Sequence, residues 1–302
     1  MNQPFGISEV TAKSALVRCG IPGIDYVINP YIGCRFACKY CYASFMGRFV
    51  NKQVSDWGTY VYVKTNLPEL LGRELTRLKD KGRGKEIFFS SVTDPYQGIE
   101  AKYKLTRNLI TVLADYGFGG AVSVLTKSDL VTRDIDVFSR LRSISVGLTV
   151  TSADDGISRY FETYAPPVSK RLQALVALNG RGIRTYAFVG PLLPHFVAQP
   201  RQLEKIFRNL SDAGTKDIFI EHLNLAPYIR NRLLAEMKGA DREIVRKFYN
   251  SQTKSYRQDL EGIIRTLVTK YRLRLLADMV IFHKEYQSVP RDNAPAIDRI
   301  LH

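Results

Sequence analysis

The chain has 302 residues, 45% of them hydrophobic and 24% charged, an ordinary globular balance with room for one large α/β domain. No apolar run reaches the roughly 18 residues a membrane helix needs, no secretory signal opens the chain, and four cysteines are too few for a secreted disulfide scaffold, so a reducing cytoplasm is expected. The net charge is +15, and residues 201–302 hold 19 basic and 13 acidic side chains, so the excess is spread along the chain; such a field suits DNA or RNA as a partner as well as it suits a plain basic surface.

In chain order, a first strand is expected over 25–32, running into the segment NPYIGCRFACKYCYASF. Asn66 and Glu69 have the spacing of a capping box ahead of a helix over LPELLGRELTRLK. A strand over 85–91 and a helix over 105–117, closed by Gly117, come next. Then follow a buried strand (121–127), a helix (133–142), a strand (143–151), a helix (169–182) and a strand (183–190). A helix near 200–213, a strand over 217–223, a helical stretch of about 240–270 and a last strand over 273–282 complete the pattern. Strands alternating with helices predict an α/β fold with a parallel sheet, and about seven strands suit an open or closed (β/α) barrel. In such barrels active-site groups sit at the C-terminal strand ends. Ser90, Ser91, Lys127, Thr149, Thr151, Glu221 and His222 fall there, and the cysteine segment also follows a strand.

Cys34, Cys38 and Cys41 are spaced C-x3-C-x2-C, with Tyr40 before the last. Three thiolates can ligate three irons of a cubane cluster and leave the fourth iron open. Structural zinc wants four closed ligands, and its fourth would have to come from Cys19, His195, His222, His283 or His302, none nearby in sequence with ligand spacing. Cys19 reads as a thiol without a catalytic role.

At these residues the chain resembles the radical S-adenosylmethionine (SAM) superfamily, whose signature C-x3-C-x-aromatic-C is matched by Cys34, Cys38, Tyr40 and Cys41. The segments CKYCYASF, SSVTDPYQGIE, VLTKSDLVTRDID and RYFETYAPPVSKRLQAL are similar to its spore photoproduct lyase-like branch over roughly residues 25–190. The resemblance implies a partial (β/α)6 TIM-like barrel in a single domain. Residues 1–24 would be an N-terminal extension, 25–225 the core, and 226–302 C-terminal helices and a last strand. It implies a 4Fe-4S cluster and SAM as cofactors, with a flavodoxin- or ferredoxin-type electron donor. It implies reductive cleavage of SAM to a 5′-deoxyadenosyl radical that takes a substrate hydrogen.

Carried over residue by residue, the resemblance places Tyr40 near the adenine of SAM. Lys127 holds the SAM carboxylate, and Thr149 stands where the branch has a serine contacting the same group. Ser90, Thr93 and Thr151 join this cofactor-binding set. Tyr42, Ser91 and Asp94 form the catalytic set, Tyr42 matching a tyrosine implicated in hydrogen transfer. Glu162 and Arg171 match a paired glutamate and arginine, read as a structural ion pair beneath the mouth. One departure matters. The lyase has a hydrogen-donating cysteine in the loop after the second strand, and Ser91 occupies that position here. A serine O–H bond is too strong for that donation, so photoproduct repair is not expected. The substrate classes left open are nucleic acid and a small metabolite, beside a non-catalytic iron–sulfur role. Tyr96, Tyr228 and Tyr286 are candidates for stacking on a base.

Overall fold

The structure, a computed structural model, describes residues 5–193, 199–237, 242–251 and 253–283. His195, His302 and Tyr286 lie outside these residues. The described strands are β1 (Gly6–Val10), β2 (Val17–Arg18), β3 (Tyr26–Ile28), β4 (Tyr31–Ile32), β5 (Tyr60–Lys64), β6 (Glu86–Phe89), β7 (Ala121–Thr126), β8 (Ile144–Thr149), β9 (Arg184–Leu192), β10 (Asp217–His222) and β11 (Arg274–Leu275). The α-helices are α1 (Leu67–Leu75), α2 (Glu100–Tyr103), α3 (Leu105–Tyr116), α4 (Ile135–Phe138), α5 (Asp155–Phe161), α6 (Val168–Asn179), α7 (Pro200–Asp212), α8 (Pro227–Glu236), α9 (Arg242–Asn250) and α10 (Lys254–Lys270).

The main sheet has the order β11-β10-β9-β8-β7-β6-β3-β2. Every pairing from β3 to β11 is parallel, and only the β2–β3 pairing is antiparallel. Six successive strands, β3 and β6 to β10, form the (β/α) core that the alternating pattern predicts. Period-two alternation divides their side chains. Ile87, Phe89, Val122, Val124, Val146, Leu148, Ala187, Val189, Ile218 and Ile220 are buried in the main core. The helices bury matching stripes: Leu105, Leu109, Ile110 and Leu113 on α3, and Leu203, Ile206, Phe207 and Leu210 on α7. Gly117, in the left-handed region, closes α3 by donating its N–H to Leu113 and Ala114.

Several expected elements are reshaped. The first strand divides at Asn29-Pro30: β3 joins the main sheet, while β4 joins a second sheet of order β1-β5-β4. Proline lacks the N–H a continuous ladder needs. The N-terminal stretch thereby supplies one strand to each sheet, β1 beside β5 and β2 beside β3. Asn66 makes no cap bond to α1. Its side chain instead donates to Ala12 O at 2.9 Å and accepts from Ala12 N–H at 2.8 Å, pinning the chain just after β1. The helix expected over 133–142 is a 3-10 turn (Asp129–Asp134) followed by the short α4. The long helical stretch is two helices, α10 starting at the Thr253 cap. The last strand is only β11 plus an isolated bridge between Glu221 and Ile281, because the chain turns at Asp278 with φ 55°. Among the described residues no helix is long and apolar enough to cross a membrane.

Candidate active site

The inner face of the sheet carries the other half of the alternation. From the N-terminal strand ends upward it presents Glu86, Ser123, Ser145, Arg184 and Asp217. Phe88, Leu125, Tyr186 and Phe219 come next, then Ser90, Lys127, Thr149, Phe188 and Glu221. Together with the cysteine segment they line one cavity of about 660 Å³, within the usual range for a ligand site. Its lower end is closed by ions: Asp217 accepts from Arg184 at 3.0 Å and from Arg274 at 2.7 Å. Tyr186 crosses the floor and donates to Val124 O at 3.0 Å. Its ring lies where a side chain on Gly147 would stand, and a Cβ on that glycine would meet it at 2.2 Å.

The cysteine loop hangs over the upper end, on the excursion between β3 and its neighbour β6 through β4, β5 and α1. Cys34 and Cys38 are buried, Cys41 is half-buried, and all three are free thiols lining the cavity. The loop is clamped from four sides. Thr93 donates to Gly33 O at 2.6 Å, and Gln97 donates to the same oxygen at 3.2 Å while accepting from Arg35 N–H at 2.8 Å. Lys39 N–H donates to Phe161 O at 2.9 Å. Lys39 also pairs with Glu236 at 2.8 Å. Arg232 of α8 donates to Cys38 O at 3.2 Å and Cys41 O at 3.5 Å. Beneath the loop, a Cβ on Gly58 would meet the Ala37 Cβ at 2.4 Å and one on Gly33 would meet the Tyr60 ring at 2.8 Å, so the segment 57–60 is packed directly against the cysteine loop at Gly33 and Ala37.

The motifs after β6 and β7 hold each other. Asp94 accepts from Thr126 Oγ1 at 2.5 Å, Lys127 N–H at 2.8 Å and Tyr96 N–H at 2.9 Å. Tyr96 donates to Asp134 at 3.0 Å, and Arg133 and Arg107 pair with that carboxylate. Asp94 lines the cavity, yet both its oxygens are engaged, with Tyr96 in its own loop and with the end of β7. Burial holds its pKa above the usual carboxylate range against those bonds.

Lys127 makes no hydrogen bond or ion pair through Nζ among the described contacts, and Nζ stands over the Tyr40 ring, 5.9 Å from its centre. Burial works against its charge, but negative charge at Cys38 and Glu162 outweighs this and keeps its pKa above the ordinary value. Tyr40 lines the cavity and donates its hydroxyl to the buried Glu162, which pairs with the buried Arg171. Thr149 lines the cavity and lends its carbonyl to Arg171 at 3.1 Å. Thr151 does not line it: its hydroxyl donates to Glu162 at 3.2 Å. Ser90 and Ser91 both face the cavity. The Ser90 hydroxyl donates to Ile28 O at 3.3 Å, and Ser91 Oγ accepts from Asn29 at 3.2 Å. Tyr42 lines the mouth and donates to Ser91 O.

The remaining expectations separate. Glu221 faces the cavity and meets His283 at 2.9 Å. His222 points the other way, buried against Tyr256 and Phe282. Cys19 lies at the N-terminal strand ends, its thiol 3.7 Å from Ile24 O just before β3, and so opposite the mouth. Neither joins the three cysteines. Among the described residues no three His, Cys, Asp or Glu side chains share one ion position, as zinc would require. A cubane puts each thiolate on a different iron. Burial raises all three thiol pKa values, that of Cys38 to about 12, so the thiolates need an adjacent cation. Iron would supply it, and the donor set fits an iron–sulfur cluster. Trp57, Gln97, Asn29 and Arg232 carried no local sequence signal for this site; their roles arise from tertiary contacts.

The sequence model of the Radical SAM superfamily matches residues 28–207. An uncharacterized protein of Methanocaldococcus jannaschii is 42% identical over 197 residues, covering 65% of this chain and 71% of that protein. An uncharacterized protein of Mycobacterium tuberculosis is 29% identical over 279 residues, covering 88% and 81%. Among solved structures, spore photoproduct lyase complexed with dinucleoside spore photoproduct is similar with TM-score 0.68 at 14% identity, over 91% of this chain and 81% of that one. A lyase variant with bound AdoMet and the same dinucleoside gives 0.67. These likenesses show a shared fold, and the superfamily match spans the cysteine loop and the strands β6 to β9, which line the cavity. The chain belongs to the radical SAM superfamily.

Proposed function

We propose that this radical SAM enzyme binds a 4Fe-4S cluster on Cys34, Cys38 and Cys41 and SAM in the adjoining upper cavity, and acts on a nucleic acid or a nucleotide-related substrate. The observation that carries the cofactor reading is the Lys127 ammonium, without an ion-pair partner among the described contacts and in the same cavity as the three thiols. An ammonium so placed matches the carboxylate of SAM. Thr149 offers a hydroxyl on the neighbouring strand. When bound, cluster and SAM together supply a 5′-deoxyadenosyl radical. The chain's own task is to orient the cofactor, exclude water and position the substrate. A flavodoxin- or ferredoxin-type protein supplies the electron.

The substrate reading rests on the net charge of +15. It rests also on the exposed aromatics after the third cysteine: Tyr42 is 45% and Phe49 61% exposed, with Arg48 stacked 4.7 Å from the Phe49 ring centre. Such side chains are suited to stack on bases. A second reading, a small metabolite, is favoured by Glu221 and His283, a hydrogen-bonding pair inside the cavity. With Ser91 in place of the lyase's cysteine, photoproduct repair is not the proposed reaction.

Anaerobic reconstitution and reduction with SAM should release 5′-deoxyadenosine and methionine, and Cys34→Ala, Cys38→Ala or Cys41→Ala should abolish colour and cleavage together. Stoichiometric zinc without iron in anaerobically purified protein would overturn the reading. Deuterium transfer from labelled candidate substrates into 5′-deoxyadenosine identifies the substrate. Binding that weakens steeply with salt supports nucleic acid; insensitivity supports the metabolite.

A further inference from the structure

Helix α8 meets the cysteine loop along one stripe. Tyr228, Arg232 and Glu236 follow at intervals of four residues, the spacing that places side chains on one helix face. Each holds a different part of the loop. The Tyr228 hydroxyl donates to Tyr42 O at 3.0 Å, Arg232 donates to Cys38 O at 3.2 Å and Cys41 O at 3.5 Å, and Glu236 pairs with Lys39 at 2.8 Å. Ile229 and Leu233, buried on the same helix, anchor it in the core.

The middle contact carries a charge where a neutral donor would suffice. Arg232 is half-buried, and burial disfavours its guanidinium against the pull of negative charge at Cys41 and Cys38. A buried cation is costly unless negative charge compensates it. Among the described residues no carboxylate pairs with Arg232, and Glu236 on its own helix face pairs with Lys39. Two other cations act on Cys38, and both are committed elsewhere. Arg171 pairs with Glu162, and Lys127 faces the cavity, where the proposed SAM carboxylate takes it. Arg232 does not line the cavity, so SAM bound there leaves its charge in place.

We propose that the Arg232 guanidinium compensates the negative charge of an iron–sulfur cluster on Cys34, Cys38 and Cys41 and so raises the potential at which that cluster takes up its electron. The inference rests on the reading that the three cysteines hold the cluster. Net charge and hydrogen bonding around a cluster set its reduction potential. The electron adds negative charge to a centre already held by thiolates, and a fixed cation behind two of them favours the reduced form. Arg232 is a positioning residue whose charge reaches the cluster through the two ligands it holds.

Redox titration of the reconstituted enzyme, followed by EPR, separates charge from scaffolding. Arg232→Gln keeps a donor for the carbonyls and removes the charge. With iron content unchanged, it should make reduction harder by about tenfold in the equilibrium, ~59 mV for one electron. Arg232→Lys keeps the charge, loses the two-pronged grip, and should retain most of the wild-type potential. An unchanged potential in Arg232→Gln, or equal losses in Arg232→Gln and Arg232→Lys, overturns the proposal. If Arg232→Gln does not hold its cluster, Glu236→Gln decides. It leaves Arg232 in place, removes the carboxylate of α8 and should make reduction easier by about threefold, a partly exposed charge being screened by solvent; no change there overturns the proposal. Absence of iron from the wild type would sink the cofactor reading instead, so the two failures are distinguishable.

Discussion

Lys127 Nζ stands 5.9 Å from the centre of the Tyr40 ring, so the end of β7 meets the cysteine loop across the cavity. The Tyr40 hydroxyl in turn is held by Glu162. Ammonium, ring and carboxylate form one line from the cavity into the core.

Removing the ammonium should affect SAM and spare the cluster. Lys127→Ala is expected to weaken SAM binding about 10- to 100-fold, the worth of a charge-assisted hydrogen bond of about 1.5–3 kcal/mol. Equilibrium binding and iron analysis on the same preparation check this. Unchanged SAM affinity would reject the assignment.

The buried pair beneath the mouth should behave differently from a surface ion pair. Burial would raise the Glu162 pKa, but Arg171 and Lys127 hold it below the ordinary value. Arg171→Met strands the carboxylate and should cost about 3–5 kcal/mol. Adding Glu162→Gln should recover part of the loss. Urea melts of the two single variants and the double variant measure the coupling, and simple additivity would contradict it.

The floor of the cavity predicts a steric effect. Gly147→Ala drives a methyl group into the Tyr186 ring and should destabilise by about 1–3 kcal/mol. Tyr186→Leu in the same chain should restore much of that stability. Thermal or urea unfolding tests both, and a neutral Gly147→Ala would show that the ring can move aside.

His222 gives a pH signature. It is 1% exposed, and burial, aided by the Arg257 guanidinium, lowers its pKa from 6.5 to about 3. Between these values the unfolded chain binds the proton and the folded chain does not. Stability from the neutral ring is therefore full above 6.5 and lost as the pH falls towards 3, by about 1.4 kcal/mol per pH unit. His222→Leu should remove that share of the slope between pH 6.5 and 5. Equal slopes in the two proteins would mean that the ring titrates normally.

The sheet was legible because its central strands are apolar runs bounded by glycine, proline and helix caps, as in β7, β8 and β10. The cysteine spacing was legible because it is local. β1 and β5 were not, since they pair with each other across a long stretch of sequence, and β4 was legible only as the tail of the first strand expected over 25–32. Asn66 shows a related limit. Its spacing to Glu69 satisfies a capping rule, but the stronger bidentate contact with Ala12 becomes available only after the chain folds back. Asp94 and Asp134 illustrate the same point at the site. Their motifs pointed to the right loops, while their work there is to lock those loops together. Which face of β10 carries Glu221 rather than His222 was settled by register, a tertiary property.

Arg232 belongs to α8, beyond the stretch that the superfamily model matches, yet it holds the carbonyl oxygens of Cys38 and Cys41. A chain ended after Leu225 would keep all three thiols and the whole parallel core from β3 to β10. It would lose the guanidinium that fixes the backbone of two ligands, and Lys39 would lose Glu236. The segment outside the family match is therefore tied to the chemistry the family shares, and exchanging C-terminal segments between relatives should alter how firmly the metal centre is held as well as what is brought to it.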